Sequence, residues 1–344
     1  VITELSDLAD RALDRAITAV ITKRVPDAQP AGLIGIALGK HGARELNYSS
    51  DIDPILLFDP ETLPRRERDE PGEAAQRYAR EIVQLLSNNT AEGFVFRVDL
   101  RLRPASEVSP LAIPINAALS HYESSALAWE RAAFIRSRAA AGDIQAGEQF
   151  LESIRPFVWR RSLDFGAIEE ISRLTARIRD THSGPRTPQS GFNVKQGRGG
   201  IREVEFYTQT HQLIHGGRNP SLRLRGTRPA LDALAAAEII KPADAVQLGE
   251  AYDRLRTIEH RLQMVDDHQT HSLPDGEALE NVALLSGYDG AEELLDDLGD
   301  ITASVAERFD KLIEVDDSSP DALAKGDALG VDLEQLGFDD PSEL

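Results

Sequence analysis

Along the first 115 residues the hydrophobic positions change period several times. Residues 1–24 carry apolar side chains at three- and four-residue intervals, the pattern of one amphipathic helix. GLIGIALGK (32–40) and DIDPILLF (51–58) are short apolar runs that predict two strands, with the polar stretch HGARELNYSS between them. Residues 71–87 return to helical spacing, with Tyr78, Ile82 and Leu85 as the apolar stripe. GFVFRVDLRLRP (93–104) predicts a third strand by alternation: Phe94, Phe96, Val98, Leu100 and Leu102 take one face, and Arg97, Asp99, Arg101 and Arg103 the other. After Pro114 the period is helical almost to the end, over 115–140, 147–181, 199–215, 228–238, 242–267, 276–286 and 290–313. A few strands followed by an unbroken series of helices predict an α+β protein rather than alternating βαβ units. The expected divisions are an N-terminal helix (1–24), a small mixed-sheet domain (25–115), a helical bundle (116–315) and an acidic linker (316–344). Pro54 has no N–H for a ladder, so its strand should lie at an edge or be locally unpaired at that position.

Composition narrows the chemistry. The 344 residues include no cysteine, which leaves oxygen and imidazole as the metal donors and favours hard cations such as Mg²⁺ or Mn²⁺. The net charge of -20 argues against a nucleic acid or an acidic membrane as partner, and no apolar run approaches a membrane span. A cytoplasmic protein is the expectation. The charge is uneven: residues 315–344 hold nine acids against Lys325, whereas Lys195 to Arg228 hold seven bases against Glu203 and Glu205. A basic island in an acidic chain suits either an anionic ligand or a solvated helix face.

Asp51 and Asp53 project from the same face at the start of a strand, where two like charges repel unless a cation lies between them. Asp99 on the later strand adds a third carboxylate. Three such groups suit two Mg²⁺ ions, which can hold the attacking and leaving oxygens of a phosphoryl displacement. Gly39 lets backbone approach a phosphate, Lys40 can pair with its charge, and Ser49 and Ser50 precede the carboxylates. Arg97, Arg101 and Arg103 beside Asp99 can offset phosphate repulsion or simply keep a sheet face soluble. A second constellation, VKQGRGGIREVEF (194–206), places Gly199 and Gly200 before a helix, with Arg198 and Arg202 reinforcing its positive end. Glu203 and Glu205 there point to different faces, and Arg202 and Glu205 are the additional candidates. His211 and His215 have zinc-helix spacing, but Gln212 stands where a protease glutamate would be, so both are read as structural.

GKHGARELNYSSDID, GFVFRVDLRLRP, YESSALAWERAAFIRSRAAAGD, IRPFVWRRSLDF and VKQGRGGIREVEF, in that order, resemble the bacterial glutamine synthetase adenylyltransferase/adenylyl-removing family over about residues 1–313. The resemblance implies a polymerase-beta-like nucleotidyltransferase fold followed by a helical bundle. Arg97 two residues before Asp99, RPFVWRRSLDF and GGIREVEF look more like the N-terminal, adenylyl-removing half of that family. In that case inorganic phosphate would attack AMP-tyrosine on glutamine synthetase and release ADP. The implied metal ligands are Asp51, Asp53 and Asp99, with Ser50 and Gly39 near the phosphates, and the implied partners are glutamine synthetase and a PII-type signalling protein. The competing expectations are the same fold transferring AMP from ATP, and a non-catalytic binding module. His41 and Ala43 stand where the family usually has Leu and Gly, and Pro54 stands where an aliphatic residue is usual. The chain is expected to be one half of a longer protein.

Overall fold

The computed structural model describes residues 1–161, 184–264 and 268–314, in two compact units, Val1–Arg160 and Arg161–Leu344. The described residues combine eleven α-helices with one four-stranded mixed sheet, an α+β architecture. None of the described helices is long and apolar enough to cross a membrane.

The first unit is built on that sheet. Strands β1 (Leu33–Ala37), β2 (Pro54–Phe58), β3 (Ala112–Pro114) and β4 (Arg138–Gly142) lie in the order β3-β2-β1-β4. β1 pairs antiparallel with β2 and β4, while β3 runs parallel to β2. Every residue of β1 and β2 is buried, because helices cover both faces of the sheet. On one face α1 (Ile2–Arg24) and α3 (Pro71–Ser87) pack Leu13, Ile17, Tyr78 and Ile82 against Leu33, Leu56 and Phe58. On the other, α4 (Ile115–Ser124), α5 (Ala128–Ile135) and α6 (Ile144–Val158) pack Tyr122, Phe134, Phe150 and Ile154 against Ile34, Ile36, Ile55 and Leu57. A one-turn helix, α2 (Gly39–Ala43), follows β1 directly.

The third expected strand, 93–104, is not a strand. It makes two isolated bridges: Val98 in parallel with Ile52, and Gly93 in a tight local turn with Thr90. Ile52 and Leu56 use the same edge of β2, and β3 takes that edge from Leu56 onward, so the 97–99 segment has no ladder to extend along. Phe96, Val98 and Leu100 still pack on the α1/α3 core, as the alternation predicts, but Phe94 is exposed and Leu102 packs on the opposite core, among the α4 to α6 side chains. Pro54 falls in the gap between the Ile52 bridge and the Leu56 ladder. Its strand is internal, and locally unpaired on that edge.

The helix expected over 115–140 is instead α4, α5 and then β4. Alanines Ala139–Ala141 favour a helix intrinsically, but the open edge of β1 takes them as a strand. Their small size matters there, since a methyl on Gly147 of α6 would stand 2.8 Å from the Ala139 Cβ. The helix expected over 147–181 is described only as α6, and its residues 162–181 lie outside the described residues, as do 265–267 and the acidic stretch 315–344.

In the second unit, α7 (Ile201–His215), α8 (Thr227–Ala236), α9 (Pro242–Met264), α10 (Gly276–Leu285) and α11 (Ala291–Glu314) follow one another closely where helical periodicity places them. Their core includes Phe192, Val204, Leu231, Leu255, Ile258, Leu298 and Phe309.

Candidate active site

The Ile52–Val98 bridge decides the geometry of the site. Ile52 donates its N–H to the Arg97 carbonyl (3.0 Å), and Asp99 donates its N–H to the Ile52 carbonyl (2.9 Å). Ile52 and Val98 therefore point together into the α1/α3 core, and Asp51, Asp53, Arg97 and Asp99 point to the opposite face. That face continues as Ile55 and Leu57, so the aspartates extend an otherwise apolar row. All three are half-buried.

Charge is matched locally. Arg97 Nε donates to Asp51 Oδ1 (2.7 Å), Arg97 Nη2 donates to Ser49 Oγ (2.8 Å), and the guanidinium lies 5.4 Å from the Phe94 ring. Arg101 forks onto Asp99, with Nε and Nη2 at 2.9 and 2.8 Å from Oδ2, while its backbone N–H reaches Oδ1 (2.8 Å). The Asp99 carboxylate pushes the Arg101 pKa up; burial opposes this, and the charges of Asp99, Asp51 and Asp53 add to the rise. One guanidinium thus feels all three aspartates.

Gly39 opens α2 at φ +53°, and an added methyl there would stand 2.5 Å from Asp53 Oδ2. Only glycine lets the turn lie so close under that carboxylate. Leu38 N–H, just before it, donates to the Asp53 carbonyl (3.0 Å). Lys40 and Ser50 are half-buried in the same neighbourhood, and Ser49 is buried. Arg103 is turned elsewhere: Nη1 donates to the Leu100 carbonyl (2.8 Å) and Nη2 to those of Ser106 and Ser109, so it braces the loop after Asp99.

The remaining candidates belong to the second unit. Gly199 (φ +74°) presses against the Thr302 backbone of α11, which accounts for that glycine by packing. Arg198 pairs with Asp310 (2.6 Å). Arg202 is lowered in pKa by burial, against the charge of Glu205, and Glu205 accepts from the Tyr252 hydroxyl (3.4 Å). Glu203 is the buried acid of the pair and Glu205 is half-buried. His211 and His215 stack on each other with ring centroids 6.3 Å apart.

Among the described residues, no three acidic or imidazole groups stand close enough to share one ion, because Asp51 and Asp99 are turned to arginines. The donor set still fits a hard divalent cation: it is all oxygen, and it is already arranged around the positive charge of Arg101.

Sequence reasoning missed Asp10, left the role of Arg138 undecided and took His41 only as a departure from a family pattern. Asp10 Oδ1 accepts from His41 Nε2 (2.7 Å), and Arg138 forks onto Asp10 (2.6 and 2.7 Å). The available signal was the spacing of Asp7, Asp10 and Asp14 along one stripe of α1. All three hold the sheet domain: Asp7 pairs with Arg44, and Asp14 accepts the Gly142 N–H (3.0 Å).

Residues 1–153 match the family described as glutamate-ammonia ligase adenylyltransferase, and residues 171–313 match GlnD PII-uridylyltransferase. Similar curated proteins are the bifunctional glutamine synthetase adenylyltransferase/adenylyl-removing enzymes of Rhizobium meliloti (40% identical over 99% of the chain and 36% of that protein) and Caulobacter vibrioides (41%, with 99% and 36%). The one from Bradyrhizobium diazoefficiens is 47% identical over 90% of the chain and 31% of its own length. The chain spans about a third of the length of these relatives.

Proposed function

Because the chain belongs to the family of bifunctional glutamine synthetase adenylyltransferase/adenylyl-removing enzymes, we propose that its three-aspartate site removes AMP from an adenylylated tyrosine of glutamine synthetase by phosphorolysis. The supporting observation is the Ile52–Val98 bridge, which puts Asp51, Asp53 and Asp99 on one face beside the Gly39 turn. Asp51, Asp53 and Asp99 would hold Mg²⁺, two ions in our reading, with Mn²⁺ as a substitute. A metal bound by these residues would supply charge neutralisation for the phosphates and for the departing tyrosine oxygen.

The chain's own residues then do the positioning. Gly39 and Ser50 lie where backbone and hydroxyl can approach a phosphate, and Lys40 lies beside them. Arg97 and Arg101 provide the cationic surroundings that let one anion approach another, which is the main barrier when phosphate attacks a phosphodiester. Phosphate oxygen forms the new bond to the adenylyl phosphorus, the bond to the tyrosine oxygen breaks, and the products are ADP and unmodified tyrosine. No side-chain nucleophile is needed. The motifs around Arg97, RPFVWRRSLDF and GGIREVEF favour removal over transfer. Glutamine synthetase as the protein substrate and a PII-type protein as the regulator follow from the relatives' names and from the second family match. In this reading the sheet-bearing unit, Val1–Arg160, is the catalytic domain, because β4 and the helices α4 to α6 complete and cover the sheet that carries the aspartates.

The test is to incubate the chain with AMP-modified glutamine synthetase, Mg²⁺ and labelled phosphate. Label should appear in ADP. Asp53→Asn should cut the rate by at least about a hundredfold while leaving the melting temperature unchanged or higher, because one of two repelling carboxylates is gone. AMP incorporation from ATP into unmodified glutamine synthetase, with no ADP formed from phosphate, would assign the transfer reaction instead.

A further inference from the structure

His41 is fully buried in α2, two residues after Gly39. Its Nε2 donates to Asp10 Oδ1 (2.7 Å), which leaves Nδ1 as the acceptor nitrogen, buried and with no hydrogen-bond partner among the described residues. An apolar side chain would fill that space without stranding a nitrogen, so the Asp10 bond is what the histidine adds. Arg138, at the start of β4, completes a ring. Its Nη1 and Nη2 donate to Asp10 Oδ2 and Oδ1 (2.7 and 2.6 Å), and Nη2 also donates to the backbone carbonyl of His41 (3.0 Å). Asp10 and Arg138 therefore hold both the side chain and the main chain of one residue.

The hold reaches the site by a short path. Gly42 lies so close to the Arg136 carbonyl that any side chain would collide with it, so α2 is wedged against the lead-in to β4. Held at His41 and wedged at Gly42, the turn joins β1 at Gly39, directly under Asp53 Oδ2 and one residue after the Leu38 N–H that donates to the Asp53 carbonyl (3.0 Å). A small rotation of α2 would change the gap between the Gly39 backbone and Asp53. Misplacement of reacting groups by about 1 Å can cost around a hundredfold in rate.

We infer that Asp10, His41 and Arg138 form a positioning clamp that sets the Gly39–Ala43 turn against Asp53, and so sets the affinity of the site for a phosphoryl group. The assignment rests on the three-aspartate reading above. These are positioning residues; none of them touches the reacting atoms. The clamp is a property of this chain's own residue at position 41.

The experiment compares wild type with His41→Leu, which removes the donor at similar volume, and His41→Gln, whose side-chain amide can still donate to Asp10. Four quantities are read: the phosphate KM and kcat, the Kd for ADP with Mg²⁺, the Mg²⁺ midpoint and the melting temperature. His41→Leu should raise the phosphate KM and the ADP Kd about tenfold or more, with the Mg²⁺ midpoint within about twofold, and His41→Gln should recover most of the loss. A His41→Leu protein that melts lower but keeps wild-type KM and Kd would reduce the histidine to a packing role and overturn the clamp. A folded His41→Gln protein as impaired as His41→Leu would do the same. If His41→Leu does not fold, Arg138→Lys, which keeps the charge but loses the fork, reads the same constants. Wild type that binds ADP but makes none from AMP-tyrosine would overturn the proposed reaction alone, and the ADP constants would still decide the clamp. Wild type that does not bind ADP would overturn both.

Discussion

His211 lies against Tyr207, with ring centroids 4.8 Å apart, and stacks on His215. Burial first, and the neighbouring His215 charge second, lower its pKa from 6.5 to about 4. It is therefore a neutral packing residue at neutral pH, as its lack of a neighbouring glutamate led us to expect. The unfolded chain takes up a proton here near pH 6.5 and the folded chain only near pH 4, so folded-state stability is complete above the first value and is lost as pH falls toward the second. The loss is up to about 3 kcal/mol at roughly 1.4 kcal/mol per pKa unit. His211→Phe should remove that part of the slope, read as the urea midpoint between neutral and acid pH. A variant with the wild-type slope would show that the titration belongs to another group. Asp51, Asp53 and Asp99 were legible in the sequence at this scale because alternation assigns faces without any knowledge of partners. Arg103 was not legible: Leu102 packs on the core opposite to that of Leu100, so the alternation has broken by then, and Arg103 folds back onto three carbonyls.

The elements read most reliably are those that carry their own periodicity over many residues. α3 spans Pro71–Ser87 as expected, with Pro71 at a first-turn position that needs no N–H donor. β3, by contrast, is three residues long and has no signature of its own. A side chain holds it: Gln76 of α3 donates Nε2 to the Ala112 carbonyl (2.6 Å) and accepts the Ala112 N–H at Oε1 (3.2 Å), acting as a further strand at the sheet edge. Gln76→Ala should destabilise the first unit by about 1–3 kcal/mol, since it leaves two backbone groups of a buried residue unpaired. Amide exchange at Ala112 is the direct check, and unchanged protection there would mean that the edge closes without Gln76. α1 shows the same dependence on partners. Its apolar stripe is visible in the sequence, but the acidic stripe beside it becomes meaningful only when Arg44, His41, Arg138 and the Gly142 N–H are seen to meet it.

Over the whole molecule the net charge is -20, whereas the reaction proposed above requires phosphate to enter the site. Long-range repulsion and short-range attraction by Arg97 and Arg101 then respond differently to salt. The Debye length falls from about 30 Å at 0.01 M to about 8 Å at 0.15 M, so added salt removes distant repulsion while pairs in contact are screened less. The phosphate KM should therefore fall severalfold as ionic strength rises over that range, before it rises at higher salt. A KM that climbs from the start would show that the local arginines dominate at all distances.

Fold class was determined by the sequence itself. Period changes before residue 115 and steady helical spacing after it specify α+β, because burial periodicity is a local property of strand and helix. The sequence also carries two aspartates at the mouth of an apolar strand and no cysteine, which leaves oxygen and imidazole as the only side-chain metal donors besides methionine. What only the tertiary structure decided was which segment supplies each neighbour. Residues 93–104 alternate like a strand but meet the lead-in to β2 at Val98 alone, because β3 already takes the edge beyond Ile52. Residues 138–142 look helical but close the sheet beside β1. Asp10 and Arg138 meet across 128 positions of sequence, a contact that no local pattern records. Strand edges and buried charges are satisfied by whatever partner the fold brings near, and that choice depends on long-range contacts rather than on the residues next in the chain.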